Sequence, residues 1–556
     1  MKKNWFAKAA ASVTCLAMLV GCGSGGSAGA NEVTINLGAE PPEMDSILTT
    51  SSGSMNVLRH CVEGLVSLDA NDEAVPGMAE SWDVSKDQKT YTFHLRKGAK
   101  WSNGEEVTAQ DFVFAWNQHF NARTGAPYAS TWMTKIAGAE DIFNATAEKV
   151  DPKDEKSDYK MAEADIPKYM EEHAGWKAID DYTFEVTFTG PFQYAVVLMA
   201  FPSFFPVNQK AYEEAGGNNN YGTDADKLAY NGPFTITSWA HEDSIVLEKN
   251  PDYWNAENIK LDKITMRMIS QETTAINEFN NGSIDMIGLT GDNIKQFENA
   301  QGFDDGGAWY LEFNSQVAPF NNAKVRKALT LGVDAQAMID TIVKNDSKVA
   351  TTFTPPAVAQ GEFTEYCGDI FKHITNNDYS EAKALLEEGL AEEGVKLSEF
   401  APELLCDDSS AAKQQAEFLQ AQLKEHLGVT LNIRQVTYNA RLDAMDQGDF
   451  EVVFAGWSPD YNDPMTFLDM WVTGNGNNHG KWSNAEYDKI IQEASQIADK
   501  EAYYAKLKEA EEILAEECPI GFIYDRQTSY VTSDRLKGVI RTAFQDINLN
   551  YAYVEE

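Results

Sequence analysis

Apolar and polar residues alternate at period two along Thr90-Tyr91-Thr92-Phe93-His94-Leu95. They do so again along Tyr182-Thr183-Phe184-Glu185-Val186-Thr187-Phe188, after the turn-like pair Asp180-Asp181. Both runs read as half-buried strands. Between them the period changes: Thr108 to Phe120 predicts a helix, with Thr108 as N-cap and Asp111 three residues on, close to a capping box. Further along, Phe418, Leu419, Leu423 and Leu427 fall at helical spacing within Ala411–Leu427, and Gly428 suits a left-handed C-cap. Val429, Leu431 and Ile433 then alternate as a strand, and Val452-Val453-Phe454 forms a short apolar run. Lys500 to Glu517 predicts an amphipathic helix whose acidic and basic residues lie on a solvated outer face. The stretch 145–174 is charge-rich and weakly periodic, which predicts an exposed helical excursion. Strands and helices interleave throughout, an α/β or α+β signal, and no internal repeat is present.

The N-terminus has its own pattern. A basic segment carrying Lys2, Lys3 and Lys8 precedes the apolar stretch Ala9–Val20. A helix needs roughly 20 apolar residues to cross hydrocarbon, so this shorter stretch reads as a secretion signal and not as a lasting span. It ends in Leu19-Val20-Gly21-Cys22, which resembles a bacterial lipobox. That resemblance implies cleavage before Cys22 and lipidation of its thiol, giving a two-chain anchor. Ser24-Gly25-Gly26-Ser27-Ala28-Gly29-Ala30 follows as a flexible tether. No other apolar run of about 18 residues occurs, so the remainder reads as an exported globular protein.

Composition narrows the function. The chain has 556 residues, with 86 Asp and Glu against 45 Lys and Arg, for a net charge of −41. Such acidity excludes nucleic acid and anionic lipid as electrostatic partners. The length suggests several compact units or two large lobes. Cys61, Cys367, Cys406 and Cys518 lie far apart and lack zinc-site spacing. In an exported compartment a disulfide is open to them, and chain proximity favours Cys367 with Cys406. The 8 histidines are scattered without a metal motif. No GxSxG, Walker or dinucleotide fingerprint is found, and no nucleophile, base and oxyanion donor occur together, so the reading is not an enzyme, with no cofactor and no metal.

Ala79-Glu80-Ser81-Trp82, Tyr91-Thr92-Phe93-His94-Leu95-Arg96-Lys97-Gly98-Ala99-Lys100-Trp101-Ser102-Asn103-Gly104 and Val107-Thr108-Ala109-Gln110-Asp111-Phe112 follow one another in order. Asn231-Gly232-Pro233-Phe234, Pro251-Asp252-Tyr253-Trp254, Gly282-Ser283-Ile284-Asp285 and the run Pro319–Leu329 come next, then Ala455-Gly456-Trp457-Ser458-Pro459-Asp460-Tyr461-Asn462-Asp463-Pro464. Together they resemble the oligopeptide-binding proteins of ABC transporters, in the peptide/nickel-binding class of extracellular solute-binding proteins, over essentially all of residues 33–556. The resemblance implies an α/β, two-lobed clamp of the type II periplasmic-binding-protein kind, with an extra domain in the N-terminal lobe. After a signal (1–21) and a tether (22–32), residues 33–62, 188–306 and 528–556 form one split lobe. Residues 63–187 form the extra domain and 307–527 the second lobe. The implied function is capture of oligopeptides by a monomer held at the cell membrane through Cys22, and delivery to a permease with its cytoplasmic ATPase. A nickel chelate, haem or oligosaccharide on the same fold, and a co-receptor for peptide pheromones, are the alternatives.

The same resemblance gives residue roles. Asp460 matches the aspartate that pairs with a peptide's α-ammonium, where a desolvated carboxylate gives a charge-assisted hydrogen bond. Composition alone would make it a turn residue beside Pro459. Tyr128 matches a tyrosine at the same end of the ligand. Gly456 and Ser458 match positions that offer backbone groups to the peptide, and a missing Cβ at Gly456 permits close approach. Thr50 and Ser52 match the opposing lobe's backbone contacts. Trp309, Tyr310, Tyr438 and Trp457 are candidate pocket walls, each equally a candidate core residue.

Two departures stand out. Enteric-type members carry a disulfide whose positions here are Gly307 and Ser458. They also carry an arginine for the peptide carboxylate where this chain has Phe454. An apolar Phe454 suits a longer or more hydrophobic ligand, or a carboxylate met elsewhere, with Lys344 one candidate.

Overall fold

The structure is a computed structural model that describes residues 31–154, 156–192 and 194–555. The signal segment, Cys22 and the tether as far as Ala30 lie outside the described residues. Among those described, no helix is long and apolar enough to cross a membrane.

The strands expected at Thr90–Leu95 and around Thr183–Thr187 pair antiparallel in a four-stranded sheet, flanked by Ala79–Val84 and Trp176–Asp180. Their alternation has the expected cause: Tyr91, Phe93 and Leu95, with Phe184 and Val186, point into the core. The helix Ala109–Phe120 buries Phe112, Ala115, Trp116 and Phe120 there. At its start, the Thr108 backbone N–H donates to the Asp111 carboxylate at 2.8 Å. The excursion over 145–174 is helical only near its ends, in Ala139–Ala147 and Ile166–His173. Between them Lys149 bridges Tyr159 across a turn-rich stretch, because those charged residues have no apolar stripe to dock a helix.

A long mixed sheet organises the rest. Its strands run in the order Asn432–Val436, Glu403–Asp407, Val452–Trp457, Gln301–Phe313, Ile520–Thr532, Met286–Leu289, Glu32–Asn36, Lys263–Arg267, Ser244–Lys249 and Phe234–Ala240. Two 13-residue strands, Gln301–Phe313 and Ile520–Thr532, lie at the middle and pair antiparallel with each other. Their register slips between Asp304 and Ala308. Strand Met286–Leu289 attaches on one side of that slip, and strand Val452–Trp457 on the other. A bulge of this kind bends a strand and increases its local twist.

Helix Ser410–Leu427 ends at Gly428 with φ 76°, as the sequence predicts. The following strand begins at Asn432, later than the alternation suggests, because Val429 and Leu431 are buried in the core before ladder pairing starts. Helix Lys500–Glu517 has the predicted bounds, but its charged residues are not all solvated. Glu511 is buried and accepts hydrogen bonds from the Phe353 N–H at 2.7 Å, the Thr354 N–H at 2.9 Å and the Thr354 hydroxyl at 2.7 Å. Cys367 and Cys406 do not pair. All four described cysteines are free and buried; Cys406 lies within the central sheet, while Cys367 ends a helix whose last carbonyl is held by Lys508.

Candidate functional site

Tyr128 and Asp460, 332 positions apart, meet where the small-sheet domain faces the half of the long sheet that contains Val452–Trp457. The Tyr128 hydroxyl donates to Asp460 Oδ1 at 3.0 Å. Tyr128 is buried, stacked on Trp132 and edge-on to Phe201. Burial, then the neighbouring Asp460 charge, pushes its hydroxyl well above the ordinary tyrosine value, so it stays a donor. Burial pushes the Asp460 carboxyl up to about 8, although the Tyr128 hydrogen bond and the Arg59 guanidinium favour its charged form. Arg59, from helix Ser52–Cys61, sits close enough to bear on Asp460, Asp546 and Tyr128. Tyr438 also bears on the Tyr128 hydroxyl. The site therefore has a carboxyl whose charged form burial disfavours, with one donor already on it.

The strand leading to Asp460 is open on one edge. Val452–Trp457 pairs along its length with Ala308–Phe313. On its other side the parallel ladder reaches only Val452 and Val453. Among the described residues, the edge at Gly456 and Trp457 has no ladder partner, and such an edge is a template for an added extended chain. Gly456 and Ser458 are exposed there. A Cβ at Gly456 would fall 2.8 Å from the Trp309 ring, so the space its hydrogen leaves is filled by that indole and not by open cleft.

The aromatic candidates divide between the sheet's two faces. Trp309 and Phe454 pack against each other and against Tyr524, on the face covered by helix Ser410–Leu427, whose Gln415 reaches the Tyr524 hydroxyl. Phe454 is thus a buried packing residue. Tyr310 lies on the opposite face, buried against Phe353 and Trp471. Trp457 shares that face by alternation, and its buried Nε1 has no hydrogen-bond partner. Tyr438 is 43% exposed. Thr50 and Ser52 are exposed beside Ser51, which caps helix Ser52–Cys61. Lys344 pairs with Asp292.

Sequence reasoning missed several charged groups. Arg526 pairs through Nε with Asp305 and donates from Nη2 to the Ser458 hydroxyl at 3.1 Å. The Gly307 N–H and the Thr528 hydroxyl also bond to Asp305. A Cβ at Gly307 would lie 3.0 Å from Arg526 Nη2, so Gly307 and Ser458 together make room for a guanidinium. Lys135 and Asp469 form a buried ion pair between the small-sheet domain and the segment after Asp460. Gly307 and Ser458 were visible as positions without a disulfide, but nothing in the sequence joins Lys135 to Asp469.

The model of the bacterial extracellular solute-binding proteins, family 5 Middle, matches residues 73–479. The chain belongs to this family. As a family 5 solute-binding protein it is 32% identical to the dipeptide-binding protein DppE of Bacillus subtilis, over 95% of this chain and 92% of that one. It is also 32% identical to the oligopeptide-binding protein OppA of Bacillus subtilis, over 100% of both. The structure of Listeria monocytogenes OppA bound to peptide superposes with a TM-score of 0.84 at 30% identity, covering 95% of this chain and 100% of that one. Two structures of the murein tripeptide binding protein MppA, both 26% identical and covering 95% of this chain, separate clearly. The Escherichia coli MppA structure (99% of that chain covered) scores 0.82, and an unliganded open form of MppA (98% covered) scores 0.63. The structure described here therefore resembles peptide-bound OppA more than the unliganded open form of MppA.

Proposed function

We propose that this protein is an extracytoplasmic receptor that captures oligopeptides between its lobes and delivers them to an ABC permease. The observation that carries this reading is the Tyr128–Asp460 pair at the end of a strand edge without a ladder partner. An extended peptide pairing along Gly456–Ser458 satisfies its main chain without regard to side chains. Its N-terminal ammonium then ends at Asp460, where the charge-assisted bond restores the carboxylate that burial disfavours. Thr50 and Ser52 supply contacts from the opposing lobe, and Tyr438 with Trp457 forms the wall of a side-chain pocket. Closure is a hinge motion at the slipped register around Asp305–Gly307. The dipeptide- and oligopeptide-binding relatives support peptide as the solute. The sequence Leu19-Val20-Gly21-Cys22 supports a lipid anchor at Cys22, on a protein that acts as a monomer and catalyses no reaction.

Native mass spectrometry of the mature chain from Gly23, as purified and after mild unfolding and refolding, tests this reading. Copurified masses that sequence as peptides, lost from Asp460→Ala, are the expected result. A bound sugar, metal chelate or haem would overturn the peptide reading. For the anchor, Cys22→Ala is expected to move the protein from the membrane to the soluble fraction.

A further inference from the structure

Helix Tyr438–Gln447 carries a cation with no direct ion-pair partner. Arg441 is 7% exposed, and its Nε is sealed from solvent without a hydrogen-bond partner. Among the described residues no carboxylate forms an ion pair with its guanidinium, and no acceptor takes a hydrogen bond from it. Two carboxylates of this region face a different cation. Glu312, fully buried, accepts from the Gly480 N–H at 2.8 Å and faces His479 Nδ1 at 3.5 Å. Asp446, further along the helix of Arg441, faces His479 Nε2 at 3.3 Å. Burial alone would lower the His479 pKa, but Glu312 and Asp446 outweigh it and raise it to about 9. His479 is thus bracketed by both carboxylates, and neither of them makes an ion pair or a hydrogen bond with Arg441.

Its neighbours lead towards the Tyr128–Asp460 pair. The guanidinium carbon lies 5.1 Å from the ring centroid of Tyr438, and its charge bears on the Tyr310 hydroxyl. Tyr438 in turn is close enough to bear on Tyr128, which holds Asp460. The buried Trp457 Nε1, also without a partner, belongs to the strand that ends at Asp460. Two buried donors, Arg441 Nε and Trp457 Nε1, lack hydrogen-bond partners, as does Glu312 Oε2, which faces His479. An unpaired buried guanidinium is costly, and a ligand carboxylate, which a guanidinium can grip with two parallel hydrogen bonds, removes that cost.

We propose that Arg441 is a specificity-determining residue that receives a carboxylate of the bound ligand, so that the cleft favours peptides carrying an acidic group a few residues from the Asp460 end. This rests on the peptide reading above. The carboxylate has two sources, an Asp or Glu side chain or the C-terminus of a short peptide.

Calorimetric titration of wild type and Arg441→Met separates them. The ligands are amidated penta-alanine, the same peptide with Glu at position two or three, and tri-alanine as free acid and as amide. Wild type is expected to bind a carboxylate-bearing peptide at least about tenfold tighter than its neutral counterpart. Arg441→Met abolishes that preference while keeping its affinity for amidated penta-alanine, and Arg441→Glu shifts preference to a Lys-substituted peptide. Preference for the Glu peptides identifies the side chain as the source; preference for free-acid tri-alanine identifies the terminus. Thermal melting checks the fold of each variant, and Arg441→Lys, which keeps the charge, retains part of the preference. Equal wild-type affinity for all ligands, or a preference that survives Arg441→Met, overturns the proposal alone. Failure of wild type to bind any of these peptides, the neutral amide included, overturns the peptide reading beneath it.

Discussion

Asp460 concentrates the chemistry of the cleft. A carboxyl raised to about 8 by burial is a poor resident of a closed empty site and a good partner for an ammonium. Tyr128 orients it through one hydrogen bond, to an acceptor that becomes charged when an ammonium binds. Tyr128→Phe is therefore expected to weaken peptide binding by about 1.5–3 kcal/mol, on the order of tenfold to a hundredfold in Kd, with the melting temperature little changed. Titration calorimetry beside a thermal melt checks both halves. Asp460 and Tyr128 could be named from sequence only because the motifs around them resemble those of known binders. Composition offers a turn aspartate and a core tyrosine instead. Arg59, Arg526 and Arg441 gave no such signal, since a basic residue at helical or strand spacing looks like any solvated one. What distinguishes them is which acids surround them in space, and chain order does not encode that.

At the level of elements, local rules were legible and long-range ones were not. The period-two runs, the Thr108 start, the Gly428 stop and the bounds of helix Lys500–Glu517 depend on neighbours a few residues away. Glu511 looked solvated because its helical neighbours are charged, yet the turn at Phe353–Thr354, distant in sequence, supplies three donors to it. The Lys135–Asp469 pair is the same case between domains. Removing one partner of a buried pair leaves the other charge uncompensated. Lys135→Met is thus expected to cost roughly 3–5 kcal/mol, and the double change Lys135→Met with Asp469→Leu to recover most of it. Denaturant unfolding of wild type, both single variants and the double variant checks this. A double variant no more stable than Lys135→Met would show that the pair does not act as a unit.

For the whole molecule, Asp460 couples closure to pH. Burial raises its carboxyl to about 8 in this structure, and opening of the cleft to water is expected to return it towards its ordinary value of 3.8. A raised acid favours the closed form fully below the open-state pKa, and that contribution is lost as pH rises through the closed-state pKa. Between the two values the empty protein loses about 1.4 kcal/mol of closure per pH unit. Small-angle scattering of ligand-free protein is expected to give a larger radius of gyration at pH 8.5 than at pH 5, and Asp460→Asn to remove the difference. A radius independent of pH in the wild type would remove Asp460 from the control of closure.

The central claim is that the clamp closes on the free amino end of a peptide. Its most direct test is calorimetric titration of one copurified peptide sequence in two forms, with a free N-terminus and with an acetylated one. The free form is expected to bind at least about a hundredfold tighter, because acetylation deletes the charge that Asp460 requires. Equal affinity for the two forms would contradict the account, leaving a peptide clamp in which Asp460 and Tyr128 serve the fold and not the ligand.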